Sequence, residues 1–126
     1  MENLKVYSKD LVLKLTRKRR GEVKVGETVN ATTGNWREDI KNSNSKFVIV
    51  GIPEDIGVRA NYGRGGANTA FKPALESFLI QQHNHFFNAK SVFVLGEINV
   101  EDLMEKATHL DAKNKNDILK LRELTA

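Results

Sequence analysis

The chain has 126 residues, 40% of them hydrophobic and 29% charged, which suits one folded domain or part of one and not a disordered chain. It contains no cysteine, so disulfides and thiolate metal centres are excluded. The net charge is +4. No apolar run approaches the roughly 20 residues of a membrane span, and "MENLKVYSKD" lacks the apolar core of a secretory signal. The expectation is a cytoplasmic protein with no membrane partner.

Ser8 is placed to cap a helix running to about Arg20, with Leu11, Val12 and Leu15 on one face and Gly21 as its stop. "RKRR", Arg17 to Arg20, then forms a cationic last turn that suits the negative pole of the helix. A solvated helix end is the favoured reading over a phosphate- or lipid-binding patch. No aromatic residue interleaves the cluster, so single-stranded nucleic acid has no stacking platform and is not the expected partner. "EVKVGETV" alternates Val23 and Val25 with charge, as a short exposed strand or extended arm would. The Asn-, Ser- and Thr-rich stretch that follows reads as loop around a helical turn near Trp36 to Lys41. Trp36 is expected to pack this arm onto a larger body.

Phe47, Val48, Ile49 and Val50 are consecutive and apolar, the pattern of a strand covered on both faces, as in parallel sheets. A helix is predicted from Asn68 or Thr69 to about Phe87, with Phe71, Leu75, Phe78, Leu79, Gln82 and Phe86 three or four apart and Pro73 in its early turns. Ser91 to Leu95 reads as a second buried strand. A short helix follows in "NVEDLMEKA", and another in "KNKNDILKLRELTA" with Ile118, Leu121 and Leu124 facing inward. The order is that of an opening strand–helix–strand unit of an open parallel α/β sheet. Residues 1–45 form an N-terminal helix and arm, and residues 46–126 the first part of the α/β domain. Two strands make a poor sheet, so the chain is expected to be the N-terminal part of a longer fold.

In such sheets the site lies in the loops beyond the carboxyl ends of the strands, here Pro53 to Ala67. "GVRANYGRGGAN" holds neither GxGxxG nor GxxxxGK[ST], so a phosphate cradle is weakly supported. His83 and His85 lie two apart on the predicted helix and would point about 200° apart, a poor metal pair. Glu54–Asp55 and Glu101–Asp102 have no histidine beside them, and no GxSxG elbow exists. No catalytic or metal-ligating residue is assigned.

The stretch "FVIVGIPEDIGVRANYGRGGANTAFKPALESFL" resembles the opening of the ureohydrolase family of arginase, agmatinase and formimidoylglutamase. The shared positions are Gly51, Pro53, Asp55, Gly57, Asn61, Gly63, Arg64, Gly66 and Ala67, and "GVRANYGRGGA" is closest to formimidoylglutamase-like members. The resemblance covers residues 46–126, with the loop carrying the specificity. Where the family commonly has Gly-Pro and then Ile-Arg at the helix start, this chain has Phe71-Lys72-Pro73 and Leu75-Glu76.

The resemblance implies an arginase-like, open three-layer parallel-sheet fold. It implies two manganese ions in the complete enzyme, whose GGxH-, DxHxD- and DxD-type ligand motifs are absent from these 126 residues. This segment is therefore expected to bind no metal and to be inactive alone. The implied substrate is a linear amidine, N-formimidoyl-L-glutamate, hydrolysed to glutamate and formamide, with agmatine or arginine as alternatives. Asn61, Arg59 and Arg64 are the implied substrate-binding residues, since arginine forks clamp carboxylates. Against this, Arg64 paired with Asp55 or Glu54 would simply hold the loop, and Asn61 would suit a left-handed turn. Self-association into a homo-oligomer is also implied. The rival from another class is a non-catalytic module that binds an anionic partner or nucleic acid through the basic arm.

Overall fold

The computed structural model describes residues 3–126. In chain order its elements are β1 (Leu4–Val6), α1 (Lys9–Thr16), α2 (Val25–Thr28), α3 (Trp36–Ser43), β2 (Phe47–Gly51), α4 (Ile56–Arg59), α5 (Phe71–Leu79), β3 (Val92–Ile98), α6 (Glu101–Ala107) and α7 (Lys115–Thr125), with 3₁₀ turns at Ala67–Thr69 and Ala89–Ser91. The described residues are thus mixed α/β, and they form two compact units. One holds the residues up to Gly51 with Lys72–Ile98, and the other Ile52–Phe71 with Asn99–Ala126.

The first unit is built on a three-stranded sheet of order β1-β3-β2. β2 and β3 are parallel neighbours, as expected, with Phe47 opposite Val92 and Ile49 opposite Val94. β1 adds an antiparallel strand, Leu4 opposite Ile98 and Val6 opposite Gly96, so the sheet is mixed. The β2–β3 register slips between Ile49 and Val50. Gly96 sits beside that slip at φ +143°, and a Cβ there would run into the Lys5 backbone carbonyl. Only glycine lets β1 approach so closely.

β3 is the central strand and is buried, with Val92, Phe93, Val94 and Leu95 at most 9% exposed. β2 overturns its expectation. It is an edge strand with one neighbour, and Phe47, Val48, Val50 and Ile52 just beyond it remain 62, 46, 42 and 59% exposed. An apolar run states what a strand can bury; its place in the sheet decides what it does bury.

Ser8 caps α1 as expected, its Oγ accepting from the Leu11 amide at 3.1 Å. The helix stops earlier than the spacing predicts, at Arg17 in the left-handed region (φ 52°), so Arg17 to Arg20 follow the helix and Gly21 serves a later turn. Val25 begins a one-turn helix, yet the arm reading holds just before it: the Val25 amide donates to Gln81 O and the His83 amide to Val23 O, both at 2.7 Å. That pairing also explains why α5 ends at Leu79. Residues 81–83 are drawn into extended pairing, which leaves Phe86 89% exposed and off the helix. Within α5, Leu75 and Leu79 are the buried pair, one helical turn apart. α3 covers its predicted turn, capped by Asn35 Oδ1 on the Glu38 amide at 3.3 Å. Trp36 is only half-buried, with the Arg37 guanidinium 4.7 Å over its ring.

The second unit has its own small core. Ile56 of α4 and Ala60 at its C-terminal cap, Ala107 of α6, and Ile118 and Leu121 of α7 are buried together. Ile118 and Leu121 face inward as their spacing predicts, each contributing about 1.5–3 kcal/mol by burial; Leu124 is partly buried beside them. Asn114 starts α7, its side chain accepting from the Asn116 and Asp117 amides.

Candidate functional site

The loop that the chain enters after β2 is fixed from within by one buried carboxylate. Asp55, 8% exposed, precedes α4. Its Oδ1 accepts from Arg59 Nη1 at 3.3 Å, and its Oδ2 accepts from the Gly66 amide at 3.0 Å. Residues eleven positions apart are thereby tied to one side chain. The backbone at Gly66 is left-handed, φ +119°, a conformation that glycine adopts without strain. Gly65 is required by space: a Cβ there would lie 2.8 Å from Asp55 Oδ2. Glu54 adds a cap, its Oε2 accepting from the Gly57 amide at 2.8 Å.

Arg59 completes the lock. Its Nη2 donates to Ala107 O at 2.6 Å and to Leu110 O at 2.8 Å. These carbonyls lie at and just past the end of α6, where helices leave acceptors unsatisfied and favour a cation. The Arg59 side chain is 13% exposed and its fork is occupied by protein groups. Its place in the structure is therefore that of a clamp on the protein, where the sequence suggested a clamp on substrate.

Arg64 is the opposite case. It is exposed, and among the described residues it has no ion pair or hydrogen bond. The expected pairing of Arg64 with Asp55 or Glu54 does not form, because Arg59 and the Gly66 amide occupy Asp55 and the Gly57 amide occupies Glu54. Asn61 is exposed as well. The left-handed residue of this turn is its neighbour Tyr62, φ 63°, so the turn does not explain the asparagine.

Arg64 lines a cleft of 550 Å³ contained in the second unit. One wall is Arg59 with residues 62–65, and the other is residues 110–113. The second wall is ordered by its own carboxylates: Asp111 Oδ1 accepts from the Lys113 amide at 2.9 Å, and Asp117 Oδ2 accepts from the Asp111 amide at 2.9 Å. The Lys113 side chain is exposed and has no ion pair among the described residues. Sequence reasoning passed over Lys113. The available signal was the short polar turn "DAKNKND" between two helical patterns, which marks a loop but not what the loop faces.

The other candidates do not converge. His83 and His85 lie in the irregular segment after α5, so the argument from helical angle lapses; the His85 ring instead lies against Phe86, 4.2 Å between centroids. Glu101 and Asp102 are exposed in the first turn of α6. Among the described residues no group of three or more His, Asp or Glu side chains is placed to hold a metal ion. No described helix is long and apolar enough to cross a membrane.

Displaced titrations occur in the first unit. Tyr7 is buried, and that burial, with the carboxylate of Glu97 on β3 accepting its hydroxyl, pushes it up to about 12. Burial and then nearby Lys18 push Lys9 down, while its ammonium donates to Val29 O at 2.6 Å. Asp39 is held below the usual carboxylate range by hydrogen bonds from the Thr32 hydroxyl and the Thr33 amide, at 2.7 and 3.0 Å.

Comparison of the chain with protein-family models, with curated proteins and with solved structures finds no match.

Proposed function

We propose that this chain is the N-terminal, substrate-facing segment of a manganese-dependent hydrolase of linear amidines, formimidoylglutamase-like, and that the segment is inactive alone. The reaction of the complete enzyme is hydrolysis of N-formimidoyl-L-glutamate to glutamate and formamide. The observation that carries the reading is the division of labour in the loop. Asp55, Arg59, Gly65 and Gly66 fix its shape, while Arg64 and Asn61 are left exposed at its surface. A loop ordered before substrate arrives loses little entropy on binding, and a free guanidinium suits a substrate with carboxylates. Asp55, Asn61, Arg64 and Gly66 are among the positions that resemble the ureohydrolases.

A second feature supports the reading. β2 is apolar along its length yet uncovered at the sheet edge, as a strand of a larger parallel sheet would be when taken without its neighbours. The metal pair, which would supply an activated water, has to be held by residues outside those described; this segment orients and binds.

The test is hydrolysis assayed with manganese on the protein isolated from its host, offering N-formimidoyl-L-glutamate, agmatine and arginine in parallel. The expected result is manganese-dependent release of formamide from the first. Arg64→Ala should raise KM for that substrate while leaving folding intact. Turnover of none of the three refutes the reading.

A second reading rests on the basic arm. Arg17 to Arg20 are all exposed, and beside the ion pairs Arg17–Glu76 at 3.6 Å and Arg19–Glu22 at 3.8 Å, Lys18 and Arg20 have no acidic partner among the described residues. A binding module would show salt-dependent association with nucleic acid; no binding at low salt removes it.

A further inference from the structure

We infer that the cleft of the second unit is a carboxylate site in which Lys113 supplies a second cation beside Arg64. The inference deepens the proposed function and rests on it for the glutamate skeleton of the ligand. Four charged side chains line the cleft: Arg59, Arg64, Asp111 and Lys113. Arg59 is spent on Asp55 and on the carbonyls of Ala107 and Leu110. Asp111 has an oxygen turned to the backbone of its own loop. Among the described residues Asp111, Arg64 and Lys113 have no ion pair; two of these three charges are positive, and those two come from chain segments on opposite walls.

The backbone adds donors. The amides of Arg64 and Gly65 make no hydrogen bond among the described residues. A carboxylate accepts about four hydrogen bonds, and a guanidinium fork, an ammonium and two amides are a matching set. Phosphate is less well served. The first-turn amides of α7, the usual cradle for a phosphate, are already capped: Asn114 Oδ1 accepts from Asn116 at 2.9 Å and from Asp117 at 3.2 Å. A volume of 550 Å³ is that of a metabolite site.

The test is an NMR titration of the 126-residue chain, without metal, using L-glutamate and, separately, inorganic phosphate. Glutamate should shift the amide signals of residues 62–65 and 110–113 saturably and more strongly than phosphate. Lys113→Gln and Arg64→Gln should each weaken binding about tenfold, the loss of one charge-assisted contact. Lys106→Gln, an exposed cation of α6 outside the cleft lining, should leave it unchanged. All are surface changes, and retained signal dispersion confirms that each variant is folded. Absence of saturable shifts, unaltered affinity in Lys113→Gln, an equal loss in Lys106→Gln, or binding of phosphate at least as tight as glutamate overturns the inference. The two proposals fail separately. Hydrolysis by the host protein without glutamate binding here removes the cleft assignment alone, and glutamate binding without hydrolysis removes the enzyme reading alone.

Discussion

β3 and β2 carry nearly the same kind of sequence and meet opposite fates. "VFVL" in β3 is enclosed, while "FVIV" in β2 stands largely exposed at the edge. The difference lies in neighbours, since β3 is flanked by β1 and β2 and β2 by β3 alone. Arg59 and Arg64 repeat the contrast in polar form. They are the same residue on the same loop, yet one is bound by three protein oxygens and the other by none among the described residues. Residue type sets what a group can do; what surrounds it decides whether that capacity is already used.

The largest test of the contrast is in the strands. Phe93→Ala should cost about 3–5 kcal/mol as a core truncation, whereas Phe47→Ala, at an exposed position, should cost less than about 0.5 kcal/mol. Urea denaturation of both variants measures this, and equal losses would break the comparison. The arginines come next. Arg59→Ala leaves the buried Asp55 charge without its cation and the Leu110 carbonyl without its donor, and should cost about 3 kcal/mol. Arg64→Ala should fall within about 0.5 kcal/mol of the parent. A stable Arg59→Ala variant would mean that the loop is held by something other than the Asp55–Arg59 lock.

Two pH effects are smaller. The folded state raises Tyr7 from 10.0 to about 12, so it favours the neutral phenol. That stability is complete below pH 10 and is lost as pH rises through the folded value. Lys9, lowered in the folded state, acts in the opposite sense, because its burial cost is relieved as pH rises. The readout is therefore the difference between parent and Tyr7→Phe, which should shrink across pH 10–12; a constant difference would sever Tyr7 from Glu97 on β3. Asp39 is lowered from 3.8 and only partly buried, so its effect should be the smallest. Its contribution is present above the ordinary carboxylate value and fades as pH falls through the folded one. Asp39→Asn should flatten the acid limb of the stability profile slightly, and an unchanged limb would count against the Thr32 contact.

The parts legible in the sequence were those governed by local chemistry. Ser8, the spacing of Ile118 and Leu121, and Pro73 in the first turn of α5 all act within a few residues of themselves. β1 was not legible, because three residues cannot display an alternation. The length of α5 was misread because residues 23–25 recruit its expected last turns into extended pairing, a contact between distant segments. The site divides the same way. Asp55 and the glycines stand together in one stretch, whereas Lys113 reaches the cleft from another segment, placed by the packing of α4 on α7.

The account turns on β2 and the loop after it belonging to a larger enzyme. The measurement that tests this most directly is the intact mass of the protein carrying this sequence in its host. The account predicts a mass well above the 14.2 kDa of this chain, with room for the residues that hold the metal. A native mass of 14.2 kDa would contradict it.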